Sequence, residues 1–356
     1  MGFNTELNIE ILKMSFNIQR TTLSEYSSAI LQYNPSLFIT PQWMEAVTTK
    51  NKKVLYLNIF YNNELIGKIA GLMFRNLTFN KELYFYSEPA LKSNYSELLS
   101  QCLQSLVHYA KSHRFTRVSF GYLDQQSSEI PIVDGLKIKK THEFVLQLQN
   151  EYKNFIPGNN FNIKLKKAAK INPEFSSSRD PEMVIRMISL LKETHSIRKN
   201  KNRHDYDLLS YNFVTERSLC KLVESGAAVF YYTKIKDQIH FISLCLEIDN
   251  RAYELYNGAN AFGYANGLTG WMIKMRVEKY SQLGFYYFNL GGIPHEHGDK
   301  ENLSGFKLQA GSTPKQVYLA QSEFLCLPEK LINPFFNLGK YMPYNRFTRF
   351  LIKALG

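Results

Sequence analysis

One supersecondary plan occurs twice in this sequence. In the first half, two strand-like segments, "KVLYLNIF" and "ELIGKIAGLMF", precede an apolar-periodic helix in "YSELLSQCLQSLVHYAKSHRF" and a strand, "RVSFGYL". The second half follows a similar order, with three strand-like segments, "AAVFYYTKI", "IHFISLCLEI" and "AYELYNGA", before the helix "GLTGWMIKMRVEKYSQLG" and the strand "FYYFNLGG". The offset is roughly 170 residues, far longer than a solenoid period. The repeat predicts two tandem domains of one α/β fold.

The predicted domains are residues 1–155 and 156–330, followed by a basic aromatic tail at 331–356. Three helices are expected before the second sheet. The first is the basic segment "NNFNIKLKKAAKINPEF". The second, "PEMVIRMISLLKETHSIR", has Asp180 as N-cap and proline at its first position, and the third, "DYDLLSYNFVTERSLCKLVESG", ends at Gly226.

The balance of charge narrows the class of partner. The 356 residues include 43 Lys and Arg against 31 Asp and Glu, a formal net charge of +12. This charge attracts phosphates, nucleic acid or an anionic membrane surface, and it does not choose among them. The four cysteines form no CxxC pair, which argues against a zinc ribbon and favours a reducing compartment. Without a signal peptide or a long apolar run, we expect a cytoplasmic protein.

Two histidines in "NLGGIPHEHGDKENLSGFKLQAGS" suggest a metal site. His295 and His297 point to the same side of an extended segment. A structural zinc needs four ligands, however, and no second Cys/His pair of matching spacing exists. We therefore expect no metal and interpret "PHEHGDKENL" as a polar loop between two strands. The second strand, "SGFKLQAGS", aims Lys307 inward from a sheet edge, or else carries it as a solvated lysine.

A glycine-rich segment is a candidate anion site. "AFGYANGLTGW" places Gly263, Gly267 and Gly270 just before the long second-half helix. Free backbone N–H groups and the positive helix end could accept a pyrophosphate or a carboxylate there. The pattern is neither a P-loop nor GxGxxG, and glycines at such turns often serve only to relieve steric strain.

Basic residues form further candidate anion sites. "KLKKAAK" puts Lys166, Lys167 and Lys170 on one helical face, and "RKNKNRH" adds a later basic loop. They favour phosphate binding, although charge runs are more often solvated faces. The tail, "NPFFNLGKYMPYNRFTRFLIKALG", interleaves aromatic and basic residues, as expected of a segment that lies on an anionic bilayer or docks on its own domain.

Four segments, in order, resemble the FemAB-type peptidyltransferases and related acyltransferases built on the GNAT fold. They are "PSLFITPQWMEAV", "KLKKAAK", "LYNGANAFGYANGLTGWMIKMRVEKYSQLGFYYFNLGGI" and "GFKLQAG", and the resemblance spans about residues 35–320. It implies two tandem GNAT-like domains, each a mixed sheet flanked by helices, with an acceptor site between them. Members of the family transfer an amino acid from aminoacyl-tRNA, or an acyl group from an activated donor, onto an amine, often of a cell-wall precursor, and need no metal.

The resemblance also implies roles for residues. Lys307 matches a lysine implicated in donor handling and transition-state charge, and Tyr256 matches a strand-end tyrosine near the acceptor. Together with the glycines and lysines named above, Phe306 and Trp43 complete the predicted contacts to substrate and donor. Glu254, Tyr256 or His240 could relay the amine proton, but none of them belongs to a diagnostic triad.

Two departures from the family pattern concern ligand recognition. The basic helix of relatives reads Arg-x-x-(Ile/Leu)-Arg-Lys-Ala, whereas here it contains lysines only, which weakens bidentate phosphate recognition. The segment "YFYSEPALKSNYSE" lacks the acidic pattern that follows Gly-Pro in peptidoglycan-acting relatives. The acceptor is therefore expected to differ from a standard muropeptide.

The sequence thus predicts an N-acyltransferase that uses aminoacyl-tRNA or acyl-CoA as co-substrate and holds no permanent cofactor. The expected acceptor is an amine of a cell-envelope precursor, with tRNA and, through the tail, the inner membrane face as further partners. The alternative is a non-catalytic protein of the same fold that binds tRNA, a lipid-linked precursor or a membrane surface.

Overall fold

One mixed β-sheet runs through both halves of the chain. The computed structural model describes residues 15–75, 80–127, 129–148, 157–199, 208–292 and 300–333. Within these ranges the strands are β1 (Phe16–Arg20), β2 (Lys52–Tyr61), β3 (Glu64–Arg75), β4 (Lys81–Phe85), β5 (Ala90–Leu91), β6 (Arg117–Phe120), β7 (Leu136–Gln147), β8 (Glu174–Ser178), β9 (Ala228–Ile235), β10 (Gln238–Ile248), β11 (Arg251–Ala259), β12 (Tyr287–Gly292) and β13 (Thr313–Ser322).

Helices cover both faces of this sheet. Those in the described ranges are α1 (Leu23–Ser27), α2 (Pro41–Val47), α3 (Leu99–Ser112), α4 (Asn159–Ala169), α5 (Met183–Lys199), α6 (Glu216–Glu224), α7 (Ala261–Ala265), α8 (Leu268–Gln282) and α9 (Lys300–Gln309). Short 3-10 turns lie at Ile30–Tyr33, Leu37–Ile39, Ser93–Leu98 and Glu329–Ile332. The predicted mixed α/β fold class is confirmed.

The two halves share one topology. β1 to β4 form an antiparallel meander, and α3 then carries the chain to β6, which is parallel to β4. β8 to β11 repeat the meander, and α8 leads to β12, which is parallel to β11. The corresponding elements begin roughly 170 residues apart, as the sequence repeat predicts.

The last strand of each half pairs with the other half. β7 follows β6 in the chain but pairs with β12, and β13 follows β12 but pairs with β6. The two exchanged strands pair with each other, antiparallel, from Thr313 opposite Val145 to Ser322 opposite Leu136. This exchange joins both halves into one sheet in the order β1-β2-β3-β4-β6-β13-β7-β12-β11-β10-β9-β8.

Three hydrophobic clusters follow from this arrangement. One lies between α3 and the first-half strands and includes Tyr318 of β13. The second lies between α4, α8 and the second-half strands and includes Phe144 of β7. The third, on the opposite face of the sheet, combines α1 and α2 of the first half with α5 and α6 of the second. Each half therefore buries apolar surface that the other half supplies.

The segment predicted as the strand "SGFKLQAGS" is instead part of helix α9. Lys307 and Ala310 are buried and Leu303 is half-buried, which is a three- and four-residue spacing typical of one helical face. Gly311, with φ of 84°, ends the helix, as left-handed glycines commonly do. The prediction was wrong because the apolar-polar alternation spans too few residues to distinguish a strand from a helix.

Other predicted boundaries also change. The predicted polar loop lies between β12 and α9 in the chain, not between two strands, and its residues 293–299 are outside the described ranges. Helix α5 begins at Met183, because the Asp180 carboxylate caps the preceding turn by accepting the N–H of Glu182. The third predicted helix is confirmed only as α6, which begins after the N-cap Thr215, and Gly226 follows it with φ of 74°.

A fully buried carboxyl group lies where the two halves meet. Glu143 on β7 accepts hydrogen bonds from the Tyr253 hydroxyl at 2.7 Å and the Asn289 side-chain amide at 2.9 Å. It also accepts the backbone N–H of Asp124 at 3.1 Å. Burial, together with the nearby Asp124 carboxylate, raises the pKa of Glu143 to about 7.

A second buried carboxyl group adjoins the first. Asp124 follows β6 and accepts the Tyr287 hydroxyl at 2.8 Å and the backbone N–H of Leu37 at 3.0 Å. The Asn289 amide lies 3.3 Å from Asp124 and so contacts both acids. Burial raises the pKa of Asp124 as well. These bonds join the exchanged strand β7 to β11, β12 and the first half.

We expect the free energy of unfolding to fall between about pH 4.5 and pH 7. A carboxyl group with a raised folded-state pKa holds its proton more tightly in the folded chain, so its stabilising contribution is lost as the pH rises through that pKa. The pKa of Glu143 is about 7 in the folded chain, and the ordinary value is 4.5. The resulting fall in the free energy of unfolding approaches about 3 kcal/mol. Urea unfolding of the native chain and of Glu143→Gln at pH 5, 6, 7 and 8 measures it.

The Glu143→Gln variant should show a shallower dependence on pH. It should not show a flat one, because burial also raises the pKa of Asp124 and of Glu88. The exposed Glu182→Gln serves as a matched control and should follow the native chain. Equal slopes for the native chain and Glu143→Gln would show that Glu143 is not the group that titrates.

Candidate functional site

Two parallel strands separate at the centre of the second half. β11 and β12 pair only at Arg251 with Tyr287, Ala252 with Phe288 and Tyr253 with Asn289. β11 then continues to Ala259, with a bulge at Leu255 relative to β10, while β12 continues along β7. We call residues 254–257 of β11 and 290–292 of β12 the fork. Beyond Tyr253 and Asn289 the two strands form no further pairs with each other.

Glycine is required on the β12 side of the fork. Gly291 has φ of 74°, and a Cβ there would lie 3.2 Å from the Tyr253 hydroxyl oxygen. A Cβ on Gly292 would lie 2.9 Å from the Tyr122 ring. These two close approaches explain why the predicted strand ends in Gly-Gly.

Lys307 of α9 lies at the β12 side of the fork. Its side chain is 7% exposed, and Nζ donates to the carbonyl oxygens of Leu290 at 2.8 Å, Gly291 at 2.9 Å and Gly292 at 2.7 Å. Burial lowers the pKa of Lys307 to about 8, opposed by the negative charges of Glu254 and Glu143. An ammonium group has three protons, so these carbonyls occupy all of them and tie α9 to the end of β12.

Glu254 lies on the β11 side, and its charge acts on Lys307. Its carboxylate lies 2.5 Å from the guanidinium of Arg276, which is fully buried on α8, and it accepts a hydrogen bond from Asn257. Arg276 also donates to Ser243 at 2.7 Å. A carboxylate that neutralises a buried guanidinium is poorly suited to accept a substrate proton. The structure therefore brings Glu254 and Lys307 towards each other but engages both.

Tyr256 belongs to the cluster shared by both halves, on the sheet face opposite α8. It is 5% exposed, and its ring centroid lies 5.3 Å from that of Tyr211. Burial raises the pKa of the Tyr256 hydroxyl. Trp43 of α2 is fully buried in the same cluster. Its ring centroid lies 6.3 Å from that of Tyr211 and 5.4 Å from that of Tyr86. The structure thus connects Tyr256 with Trp43 through Tyr211, and separates them from Glu254.

The segment that covers this face of the fork was predicted as the start of the third helix. Residues 208–214, between α5 and α6, bring Tyr211 between Trp43 and Tyr256. The Tyr86 hydroxyl donates to the backbone oxygen of Asn212 at 2.5 Å. The structure shows this segment to be irregular rather than helical, and no pattern in the sequence indicated its position beside Tyr256.

The three glycines predicted to bind a donor lie against other parts of the chain. Gly263 is in α7, Gly267 precedes α8 with φ of 73°, and Gly270 is in the first turn of α8. A Cβ on Gly263 would lie 2.5 Å from the His240 oxygen, and one on Gly267 would lie 2.7 Å from the Lys164 oxygen. Close packing against β10 and α4 is sufficient to explain why glycine occupies these two positions. Their role in anion binding stays a prediction.

Helix α4 presents the predicted lysines to solvent. Lys166 and Lys167 on α4, and Lys170 at its C-cap, are exposed and form no ion pair within the described ranges. On the buried side of the helix, Phe161 packs against Phe306, with their ring centroids 5.6 Å apart. Phe306 therefore anchors α9 to α4, while the lysines remain available to an anion.

Several predictions concern residues that the structure does not describe. His295 and His297, most of the basic loop after Lys199, and nearly all of the tail lie outside the described ranges. Within those ranges, no three His, Cys, Asp or Glu side chains are grouped as metal ligands. Of the helices described, none combines the length and apolar character needed to cross a membrane.

Two buried charged residues were also missed at the sequence level. Arg276 is on the buried face of α8 with Met272, Ile273 and Tyr280, so its helical spacing already placed it among core residues. Glu143 is followed by "FVLQ" in β7, and a charged residue at the start of an apolar run is a weaker signal.

No family model matches this sequence, and no curated protein matches it. Solved structures do. FemX is 13% identical over 90% of this chain and 99% of its own, with a TM-score of 0.66. A conserved protein of unknown function from Bacteroides thetaiotaomicron is 10% identical over 87% of this chain and 100% of its own, with a TM-score of 0.55.

L-PGS from Bacillus licheniformis is 14% identical over 87% of this chain and 95% of its own, with a TM-score of 0.50. At these identities the likeness establishes the fold alone. It agrees with the duplicated topology and with the family that the sequence resembles. The chain therefore has the FemX-like fold, in which two GNAT-like halves share one sheet.

Proposed function

We propose that this chain is an N-acyltransferase of the FemAB type. The supporting observation is the fork, where β11 and β12 separate beside Lys307 and Glu254 within a FemX-like fold. The donor would be aminoacyl-tRNA or acyl-CoA, and the acceptor an amine of a cell-envelope precursor. We place this activity in the cytoplasm, with the basic tail at the inner membrane face.

The proposed reaction joins an activated carbonyl carbon to an amine nitrogen. A C–N bond forms, the C–O bond of the ester or the C–S bond of the thioester breaks, and the amine proton passes to the leaving oxygen or sulfur. Holding both reactants in the fork makes the step effectively intramolecular. Backbone N–H groups at the bulge and the Lys307 ammonium would stabilise the oxyanion, a role in which one donor contributes about 3 to 4 kcal/mol.

Lys307 can take this role only by exchanging a carbonyl partner for the oxyanion. Its three protons are engaged by residues 290–292, and an oxyanion is a stronger acceptor than a neutral carbonyl. A pKa of about 8 leaves it mostly protonated at pH 7. The exchange therefore needs no change in protonation.

The surroundings of the two candidate donor sites favour aminoacyl-tRNA. The α4 lysines are exposed and unpaired within the described ranges, as expected of a phosphate-backbone contact. The N-terminal end of α8 would hold the pyrophosphate of acyl-CoA. Lys164 of α4 packs against Gly267 at this end, so α4 occupies part of the space that a pyrophosphate would need.

Donor identity is tested by offering both donors. The chain is incubated with an amine acceptor and either radiolabelled aminoacyl-tRNA or radiolabelled acyl-CoA, and the label recovered on the amine is counted. We expect transfer from aminoacyl-tRNA to exceed transfer from acyl-CoA at least tenfold. Free amino acid and deacylated tRNA serve as blanks. Transfer from acyl-CoA alone would reverse the assignment of the donor.

Replacing Lys307 tests its proposed role. Lys307→Met keeps the length of the side chain but leaves three carbonyls without a donor, so we expect a loss of stability of about 1–3 kcal/mol. Turnover of the folded variant should fall at least tenfold. If the ammonium acts, native turnover should decline as the pH rises above about 8, where Lys307 loses its proton.

Circular dichroism gives the melting temperature of the variant, and turnover is assayed well below that temperature. A loss of turnover there is not caused by unfolding. Lys192→Met, on the exposed face of α5, is the matched control and should retain native turnover. Turnover of Lys307→Met within twofold of native would remove Lys307 from the reaction.

The second candidate is a non-catalytic anion-binding protein. It is supported by the engaged state of Lys307 and by the burial of Tyr256 beneath Tyr211. This function requires the exposed α4 lysines and no opening of the fork.

The α4 lysines are tested by salt-dependent tRNA binding. Each phosphate contact contributes nearly one unit to the slope of log K against log salt, so Lys166→Ala/Lys167→Ala/Lys170→Ala should reduce the slope by about two to three units. Filter binding from 50 to 300 mM salt measures it, with Lys192→Ala as the control. Both candidate functions predict this loss if the ligand is tRNA, and only the transferase also predicts turnover. An unchanged slope would exclude α4 as the contact surface.

A further inference from the structure

Two adjoining cavities lie outside the fork, around α2. The smaller, about 240 Å³, is between the end of α2 and the start of α6. The larger, about 550 Å³, is between α1 and α2. Both are lined by Ala46 and Lys221, so one opens next to the other. The proposed transfer uses neither cavity.

The smaller cavity is cationic. Lys50, Arg217 and Lys221 line it together with hydroxyl side chains, and no acidic side chain does so. Within the described ranges, the Lys50 and Arg217 side chains are exposed and have no hydrogen-bond or ion-pair partner. Lys221 donates to the backbone oxygens of Glu45 at 3.2 Å and Thr48 at 3.3 Å, which leaves one of its three protons available.

These groups suit a phosphate monoester. A guanidinium binds two phosphate oxygens at once, and ammonium groups bind the remaining charge without a fixed geometry. Thr49 and Ser218 also line this cavity, and the Ser218 hydroxyl is hydrogen-bonded to Thr215. Among the residues that the structure describes, no carboxylate forms an ion pair with these three positive charges, so an anionic occupant would complement them.

The larger cavity is mainly apolar. Leu23, Ile30, Leu31 and Pro41 line it, and Leu23 and Leu31 remain 43% and 45% exposed. Its acidic lining residue is Glu45, which already accepts the Tyr56 hydroxyl at 2.7 Å. A groove of this volume lies within the roughly 300–1,000 Å³ typical of sites for small molecules.

We propose that the two cavities form one site for a single-chain phosphate amphiphile, with its phosphate between Lys50, Arg217 and Lys221 and its hydrocarbon chain along Leu23 and Leu31. A polar anion alone would leave the apolar groove uncovered, and a neutral hydrocarbon would leave the cations unneutralised. Only an occupant with both parts complements both cavities. The site is independent of the transfer proposed at the fork.

Isothermal titration of the full chain with dodecyl phosphate, below its micelle concentration, tests the site. Inorganic phosphate is the head-only probe, and dodecyl maltoside is an uncharged probe with the same chain. Each buried methylene strengthens binding about fourfold. Burial of several methylenes therefore gives dodecyl phosphate a much higher affinity than inorganic phosphate. We expect dodecyl phosphate to bind at least tenfold more tightly than either of the others.

Paired variants assign the two parts of the ligand. Lys50→Ala/Arg217→Ala should weaken dodecyl phosphate and inorganic phosphate at least tenfold each. Leu23→Ala/Leu31→Ala should weaken dodecyl phosphate and leave inorganic phosphate within twofold. The matched control is Lys192→Ala/Ile185→Ala, which removes one exposed cation and one exposed apolar side chain from α5. Melting temperatures confirm that each variant is folded.

Several results would overturn the proposal. Inorganic phosphate that binds as tightly as dodecyl phosphate would leave the groove without a role, and dodecyl maltoside that does so would leave the cations without one. Equal weakening by the control variant would indicate non-specific adsorption. Absence of binding to dodecyl phosphate would refute the site itself.

Discussion

The pairing of β7 with β13 is the interaction on which the rest of the structure depends. Each strand leaves the half that precedes it in the chain, and the two run side by side from Leu136 to Val145 and from Thr313 to Ser322. β13 contributes Tyr318 to the first-half core, and β7 contributes Phe144 to the second-half core. Burial in either half is therefore complete only when the other half is present.

The exchange also produces the fork. β12 has β11 on one side and β7 on the other, and it is paired with both only as far as Asn289. Beyond that residue it follows β7, Gly291 allows the change of direction, and Lys307 binds the carbonyls of the diverging segment. The Asn289 amide contacts both buried acids at the point of divergence. The candidate site and the junction of the halves are thus built from the same strands.

Local patterns in the sequence were sufficient for several elements. Helices α3 and α8 follow from helical spacing, and strands β9 to β12 follow from short apolar runs of the kind found in strands that are buried on both faces. The strand exchange could not be predicted, since it depends on contacts between residues at least 140 positions apart. An inward-pointing Lys307 was expected, but its carbonyl partners belong to a neighbouring strand that local sequence does not reveal. Tyr211 belongs to an irregular segment and could be found only in three dimensions.

The exchanged strands impose an order on biosynthesis. The β6 edge of the first-half sheet has no permanent neighbour until β13 has emerged from the ribosome, about half a chain length later. During that interval an edge flanked by Val118 and Phe120 is open to pairing with other nascent chains. Production of this protein in cells therefore depends on how well that edge is shielded while the ribosome completes the second half.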